Sequence, residues 1–290
     1  MRYLLFLSLF MMSFTISFGQ EKKINVVVIG AHPDDADTAT GGTAIKFAKM
    51  GHNVLFVSLT NGDAGHFNKG GGHLAKIRRA EAHEAGRRFG VTYKVLDNHD
   101  GELMPTLDIR LDIIRIIREW NADVVISPRP NDYHPDHRNT AILLQDAAFM
   151  VVVPNVASDT PALKKNPVFL YAWDRFQKPY PFISDITIDI SDVFEKKIYG
   201  MSAHESQYFE WLPWLSGDLD NIPKDEEGKQ KWLQVFRKRP ITDGMRESLV
   251  KWYGKDRAMK VTDAESFEIC EYGRQPTEEE IKELFPMLGK

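Results

Sequence analysis

"KINVVVIGAHPDDADTATGG", residues 23–42, joins a run of β-branched residues to a segment in which one histidine and three aspartates take four of the six positions from His32 to Asp37. Residues 23–31 predict a buried parallel strand, because strands covered on both faces read as nearly unbroken apolar stretches. Charge directly after such a strand has a reason in open α/β sheets. Ligands there bind outside the carboxyl ends of the strands, near the point where strand order reverses.

Outward from this stretch, strands and helices alternate. Residues 42–51 predict a helix with a glycine suited to its C-cap. Residues 52–60 predict a second strand, 61–72 a Gly-rich loop, 74–90 an amphipathic helix and 92–97 a third strand. A strong helix is expected over 107–120, a fourth strand over 122–128, and a helix from about His137 to Met150. "VFLYAWDRF" (168–176) and "SDITIDIS" (184–191) read as further strands, and 192–207 as helical. The alternation predicts an α/β fold, a Rossmann-like, mostly parallel sheet with helices on both faces. Residues 211–290 read as polar and irregular, with one helix at 277–285. No repeat or linker divides the chain. The expected organisation is a signal peptide over 1–19, a core over 20–210, and 211–290 as a C-terminal extension of the same domain.

Bulk properties narrow the function. The 290 residues are 43% hydrophobic and 27% charged, with net charge −4 and no basic patch, which argues against nucleic acid. The start, "MRYLLFLSLFMMSFTISFGQEKK", has Arg2, an apolar stretch, and small residues Ser17 and Gly19. It reads as a secretory signal peptide cut after Gly19, giving a periplasmic or extracellular product. The stretch falls short of the ~20 residues a membrane span needs, and no later segment supplies one. The single cysteine, Cys270, rules out an internal disulfide.

"HPDD" (32–35) and "HPDH" (134–137) each place two metal-ligating side chains three residues apart, around Pro-Asp. A divalent transition metal wants imidazole nitrogen and carboxylate oxygen converging within ~2.0–2.2 Å, and a catalytic zinc site keeps one position open for water. Two such pairs on adjacent strand ends supply three ligands. Adjacent Asp34 and Asp35 are costly to keep ionised away from water, and a cation offsets that cost. One aspartate then binds the metal while the other faces the bound water as a base. His134, where it is not a ligand, can donate to a developing oxyanion. Two histidines and a carboxylate also describe the facial triad of non-haem iron oxygenases.

These motifs, with "LTNGDAG", "IRRAEAHEAGRRFGV", "DGEL", "ADVVISPRPNDYHPDHRNT" and "AHESQ", resemble in that order the LmbE-like, or PIG-L, family of metal-dependent sugar de-N-acetylases, over about residues 24–208. The resemblance implies that His32, Asp35 and His137 bind the metal, usually zinc, with iron or another divalent ion as alternatives. It implies Asp34 as general base and later proton donor, His134 as the group that polarises the carbonyl, and Asp136 as a carboxylate that orients a histidine of the catalytic set. Arg78 and Asp100 match positions that touch sugar hydroxyls. Some relatives carry a tyrosine where this chain has Asp132; Tyr133 is its neighbour. The implied activity is removal of an N-acetyl group from an N-acetylglucosamine-like sugar or glycoconjugate by metal-activated water. Hydrolysis of another amide, or metal and glycan binding without catalysis, are the alternatives. His204 reads as structural, His66 and His73 as exposed, and Trp211, Trp214 and Tyr208 as packing residues rather than sugar platforms.

Overall fold

In a computed structural model, residues 22–289 are described; the expected signal peptide lies outside them. Seven strands form one sheet: β1 (Asn25–Gly30), β2 (Asn53–Thr60), β3 (Thr92–Asn98), β4 (Val124–Ser127), β5 (Val168–Ala172), β6 (Ile186–Asp189) and β7 (Ala264–Gly273). The helices are α1 (Asp35–Lys49), α2 (Gly71–Phe89), α3 (Leu107–Glu119), α4 (Pro135–Met150), α5 (Phe194–Met201), α6 (Leu212–Ser216), α7 (Glu226–Arg237), α8 (Asp243–Tyr253), α9 (Lys255–Ala258) and α10 (Glu278–Leu284).

The unbroken apolar run of β1 is explained by burial on both faces. Successive side chains of a strand point to opposite sides. Val26 and Val28 pack with Ile45, Phe47, Phe56 and Phe89, beneath α1, α2 and α5. Val27 and Ile29 pack with Ile113, Ile117, Leu143 and Leu144, beneath α3 and α4.

Strand order is β3-β2-β1-β4-β5-β7-β6. The strands from β3 across to β5 pair in parallel, and β7 is antiparallel to both β5 and β6. The chain leaves β1 for β2 and β3 on one side, then crosses back to place β4 on the other. The loops after β1 and β4 therefore diverge, which opens a crevice at the switch in strand order. "HPDD" and "HPDH" are those two loops.

Two expectations are corrected. Helix α1 begins at Asp35, not at residue 42. Its first turns, "DADTATGG", have poor helix propensity, but packing overrides it: a Cβ on Gly42 would stand 2.8 Å from the Ile190 side chain, so glycine permits the close approach. Residues 211–290 are not irregular. They hold α6 through α10 and β7, which completes the sheet between β5 and β6. Acidic residues inside β7 hid its pattern. Glu265 is buried against the Lys197 ammonium at 2.7 Å, and Glu268 lies 3.6 Å from the Arg129 guanidinium. Among the described residues no helix is long and apolar enough to cross a membrane.

Candidate active site

The two loops bring His32, Asp35 and His137 together. His32 Nδ1 lies 3.2 Å from His137 Nε2. Asp35 Oδ2 lies 3.5 Å from His32 Nδ1 and 3.4 Å from His137 Nε2. Ligand atoms bound tetrahedrally to zinc at ~2.0–2.1 Å stand about 3.3–3.4 Å apart, so this near-equilateral triangle fits one face of such a site. Local structure sets it up. The amides of Ala31 and His32 donate to Asp35 Oδ2 at 2.9 and 2.8 Å, folding the carboxylate back over the strand end. Gly30 makes room: a Cβ there would stand 2.5 Å from Asp35 Cβ. His137 is in the first turn of α4, whose N-terminal Pro135 suits a helix start.

The outer nitrogen of each histidine meets carboxylates. His32 Nε2 lies 3.0 Å from Asp100 Oδ1 and 3.2 Å from Asp136 Oδ2. His137 Nδ1 lies 3.1 Å from Asp132 Oδ2. Such partners fix the ring orientation of a ligating histidine and raise its basicity. Burial alone would lower the pKa of both imidazoles. Asp35 and Asp132 outweigh it at His137, raising it to about 10, and Asp100, Asp136 and Asp35 raise His32 well above the ordinary value. Burial would likewise raise Asp35, yet His137 and His32 hold it well below the usual carboxylate range. The carboxylates thus make a strongly negative pocket around two imidazoles, a setting that attracts a cation. Among the described residues, His32–His134–His137 and His32–Asp100–Asp136 also gather ligand atoms within 4.8 Å of one another. The second set lies on the Nε2 side of His32, away from Asp35 and His137, and acts on that ring rather than completing the triangle.

Asp136 is fully buried and accepts the amides of Gly101 and Leu103 at 2.7 and 3.2 Å. It positions His32 and has no exposed surface for substrate. Asp100, matched above to a sugar-contacting position, turns its Oδ1 onto the same His32 nitrogen. Arg78 is also withdrawn from solvent, at 1% exposure. It donates to Pro33 O at 3.0 Å and to Asp34 Oδ1 at 3.1 Å, so it braces the expected base from behind. At His134, the Asp136 amide donates to Nδ1 at 3.2 Å. Burial, with His32 and His137 nearby, lowers its pKa. The ring is therefore neutral at neutral pH, with its proton on Nε2 as a donor.

Asp132 escaped the sequence reading except as a departure from the tyrosine of relatives. Its nearness to "HPDH" was the available signal. Tyr133 is exposed, with its ring centroid 6.0 Å from that of His137. His66, expected to be exposed, is buried and paired with Glu210 at 2.7 Å. His204 is structural, fully buried with Nε2 2.9 Å from Asp37 Oδ1. Trp211 and Trp214 stack on each other, with centroids 5.4 Å apart. A cavity of about 810 Å³ opens from Asp35 and His137 across the ends of β1, β4 and β5 towards Trp173, Phe176 and Phe236.

The family described as "PIG-L: GlcNAc-PI de-N-acetylase" matches residues 27–148. The diacetylchitobiose deacetylase of Thermococcus kodakarensis is 33% identical over 211 residues, 68% of this chain and 76% of that protein. The chain belongs to the PIG-L family. A probable N-acetyl-α-D-glucosaminyl L-malate deacetylase 2 of Bacillus cereus is 28% identical, over 73% of this chain and 94% of that one. Among solved structures, the N,N'-diacetylchitobiose deacetylase of Pyrococcus horikoshii superposes with a TM-score of 0.61 at 26% identity, over 84% of this chain and 83% of that chain. These PIG-L relatives are deacetylases by name. Family membership places "HPDD" and the "HPDH" loop inside the matched region, and leaves α5 to α10 and β7 outside it.

Proposed function

We propose that the protein is a divalent-metal-dependent hydrolase that removes the N-acetyl group from an N-acetylglucosamine-like sugar or glycoconjugate. The observation that carries this reading is the triangle of His32 Nδ1, Asp35 Oδ2 and His137 Nε2, with sides of 3.2 to 3.5 Å. An ion held there, for which zinc is our choice, supplies Lewis-acid polarisation of the amide and lowers the pKa of water.

The chain's own residues do the rest. Asp34 Oδ1 is held by Arg78, which leaves the other oxygen to take the proton of the attacking water. The same carboxyl then gives a proton to the departing amine. His134, neutral with Nε2–H as donor, stabilises the oxyanion that forms on the acetyl carbonyl. Acetate and the free amino sugar leave.

The test is acetate release from N-acetylglucosamine and diacetylchitobiose by zinc-loaded protein in the absence of oxygen. Loss on chelation and return with zinc are expected. Substituting Asp34→Asn abolishes turnover with zinc still bound. No acetate from any N-acetyl sugar at full zinc occupancy overturns the reading.

A further inference from the structure

The wall of the cavity carries three arginines that have no acidic partner among the described residues. Arg175 follows β5, while Arg237 and Arg239 end and follow α7; all three line the same cavity as Asp35 and His137. Their guanidinium groups have no hydrogen-bond or ion-pair partner among the described residues. The fourth arginine of the cavity, Arg129, shows the contrast: its Nε and Nη2 donate to Asp174 at 2.7 and 2.5 Å.

Aromatic faces hold two of the three instead. Arg239 stands over Trp173, 5.3 Å from the ring centroid, and Arg237 over Tyr208 at 5.7 Å. Stacking of this kind steadies a guanidinium while leaving its N–H fork free. The acidic groups nearby are already engaged. Lys238 binds Asp263 at 2.7 Å, Lys197 binds Glu265 at 2.7 Å, and Glu268 backs Arg129. The arginines therefore repel one another, and the Glu265 carboxylate, already paired with Lys197, offsets only part of this at Arg239. Arg239 is exposed and lines the cavity, yet the surrounding protein mass, with Arg237 and Arg175, pushes its pKa down to about 10. An arrangement costly in the free protein is stabilised when an anion enters.

We propose that Arg175, Arg237 and Arg239 form an oxyanion-binding subsite, and that the substrate is an N-acetylated amino sugar bearing a carboxylate or phosphate substituent. The placement of the acetyl group at the metal end rests on the function proposed above; the binding of the anion does not. The fork of each guanidinium matches two oxygens of either group. Two of the three arginines lie in residues 211–290, so the subsite belongs to the part of the chain beyond the family match.

The experiment compares three sugars on the zinc-loaded protein at low salt. These are N-acetylglucosamine, its 6-phosphate, and N-acetylmuramic acid with its ether-linked carboxylate. Calorimetry gives affinity, and acetate release gives kcat/KM. At least one charged sugar binds about tenfold or more tighter than the neutral one, as one or two charge-assisted hydrogen bonds allow. The tighter arm names the substituent. Added salt erodes the preference. The Arg237→Gln, Arg239→Gln double variant brings the charged-to-neutral ratio close to one, while Arg237→Lys, Arg239→Lys keeps part of it. Equal affinities in the wild type, or a preference that survives the glutamine variant, overturn the subsite. Anion-selective binding without acetate release leaves the subsite standing and removes the proposed hydrolysis; acetate release without selectivity does the reverse.

Discussion

Asp132 Oδ2 lies 3.1 Å from His137 Nδ1, and Asp132 Oδ1 accepts the His134 amide at 2.8 Å. One aspartate thus orients a proposed metal ligand and fixes the loop that carries the proposed oxyanion donor. Asp132 therefore works through its neighbours.

Replacing Asp132 by Asn should weaken zinc affinity about 10- to 100-fold, the usual cost of losing a carboxylate behind a ligating histidine. Competition with a chromogenic chelator measures it. Turnover at saturating zinc should fall less than affinity does. Zinc affinity unchanged in Asp132→Asn would show that the ring of His137 is held by packing alone.

Arg78 separates two roles by kinetics. Its Nη2 donates to Asp34 and to the Pro33 carbonyl, and it is buried. Arg78→Lys keeps the charge and loses the fork. A mispositioned base lowers kcat, here by roughly 100-fold, with KM nearly constant. A residue that grips sugar hydroxyls would instead raise KM. A KM effect alone would return Arg78 to the substrate.

Gly30 tests the geometry from the backbone side. A methyl at Gly30 would meet Asp35 Cβ at 2.5 Å and Oδ2 at 3.3 Å, so the first turn of α1 must shift. Gly30→Ala should cost about 1–3 kcal/mol of stability and lower zinc affinity, read by thermal melts with and without zinc. A variant whose melting point rises with zinc as much as the wild type's does would contradict the placement.

Most of the parallel sheet was legible because β1, β2 and β4 are buried on both faces and so carry no charged residue inside their apolar runs. The proposed metal triangle was legible for a different reason: His32 and Asp35 share one short loop motif, His137 lies in another, and the strand-end rule says where both loops lie. What stayed hidden is compensated charge. Glu265 sits inside β7, yet it accepts the amides of Gly42 and Thr43 at 2.9 and 2.7 Å as well as the Lys197 ammonium. Its partners are more than 60 residues away in sequence, so no local pattern marks it as buried. Arg78, matched by resemblance to a sugar-contacting position, shows the same thing: its partner Asp34 is 44 residues away in sequence, so nothing local marks the pair.

His204 offers a pH-dependent check on the frame beneath the site. Its Nε2 lies 2.9 Å from Asp37 Oδ1, and Asp37 Oδ2 accepts the Tyr93 hydroxyl at 2.9 Å, all fully or almost fully buried. Burial would lower the histidine's pKa, but the Asp37 carboxylate outweighs it and the folded-state value is raised. A histidine whose folded pKa exceeds its unfolded one stabilises fully below the unfolded value, ~6.5. That contribution fades as pH rises through the folded value. His204→Gln can still donate a hydrogen bond to Asp37 but cannot titrate. Its melting temperature should change less than the wild type's from pH 6.5 upward. His204→Ala leaves a buried carboxylate without its charged partner and should cost about 3–5 kcal/mol. Parallel stability curves for wild type and His204→Gln across that range would mean that the histidine is neutral in the folded state and that Asp37 is held by Tyr93 alone.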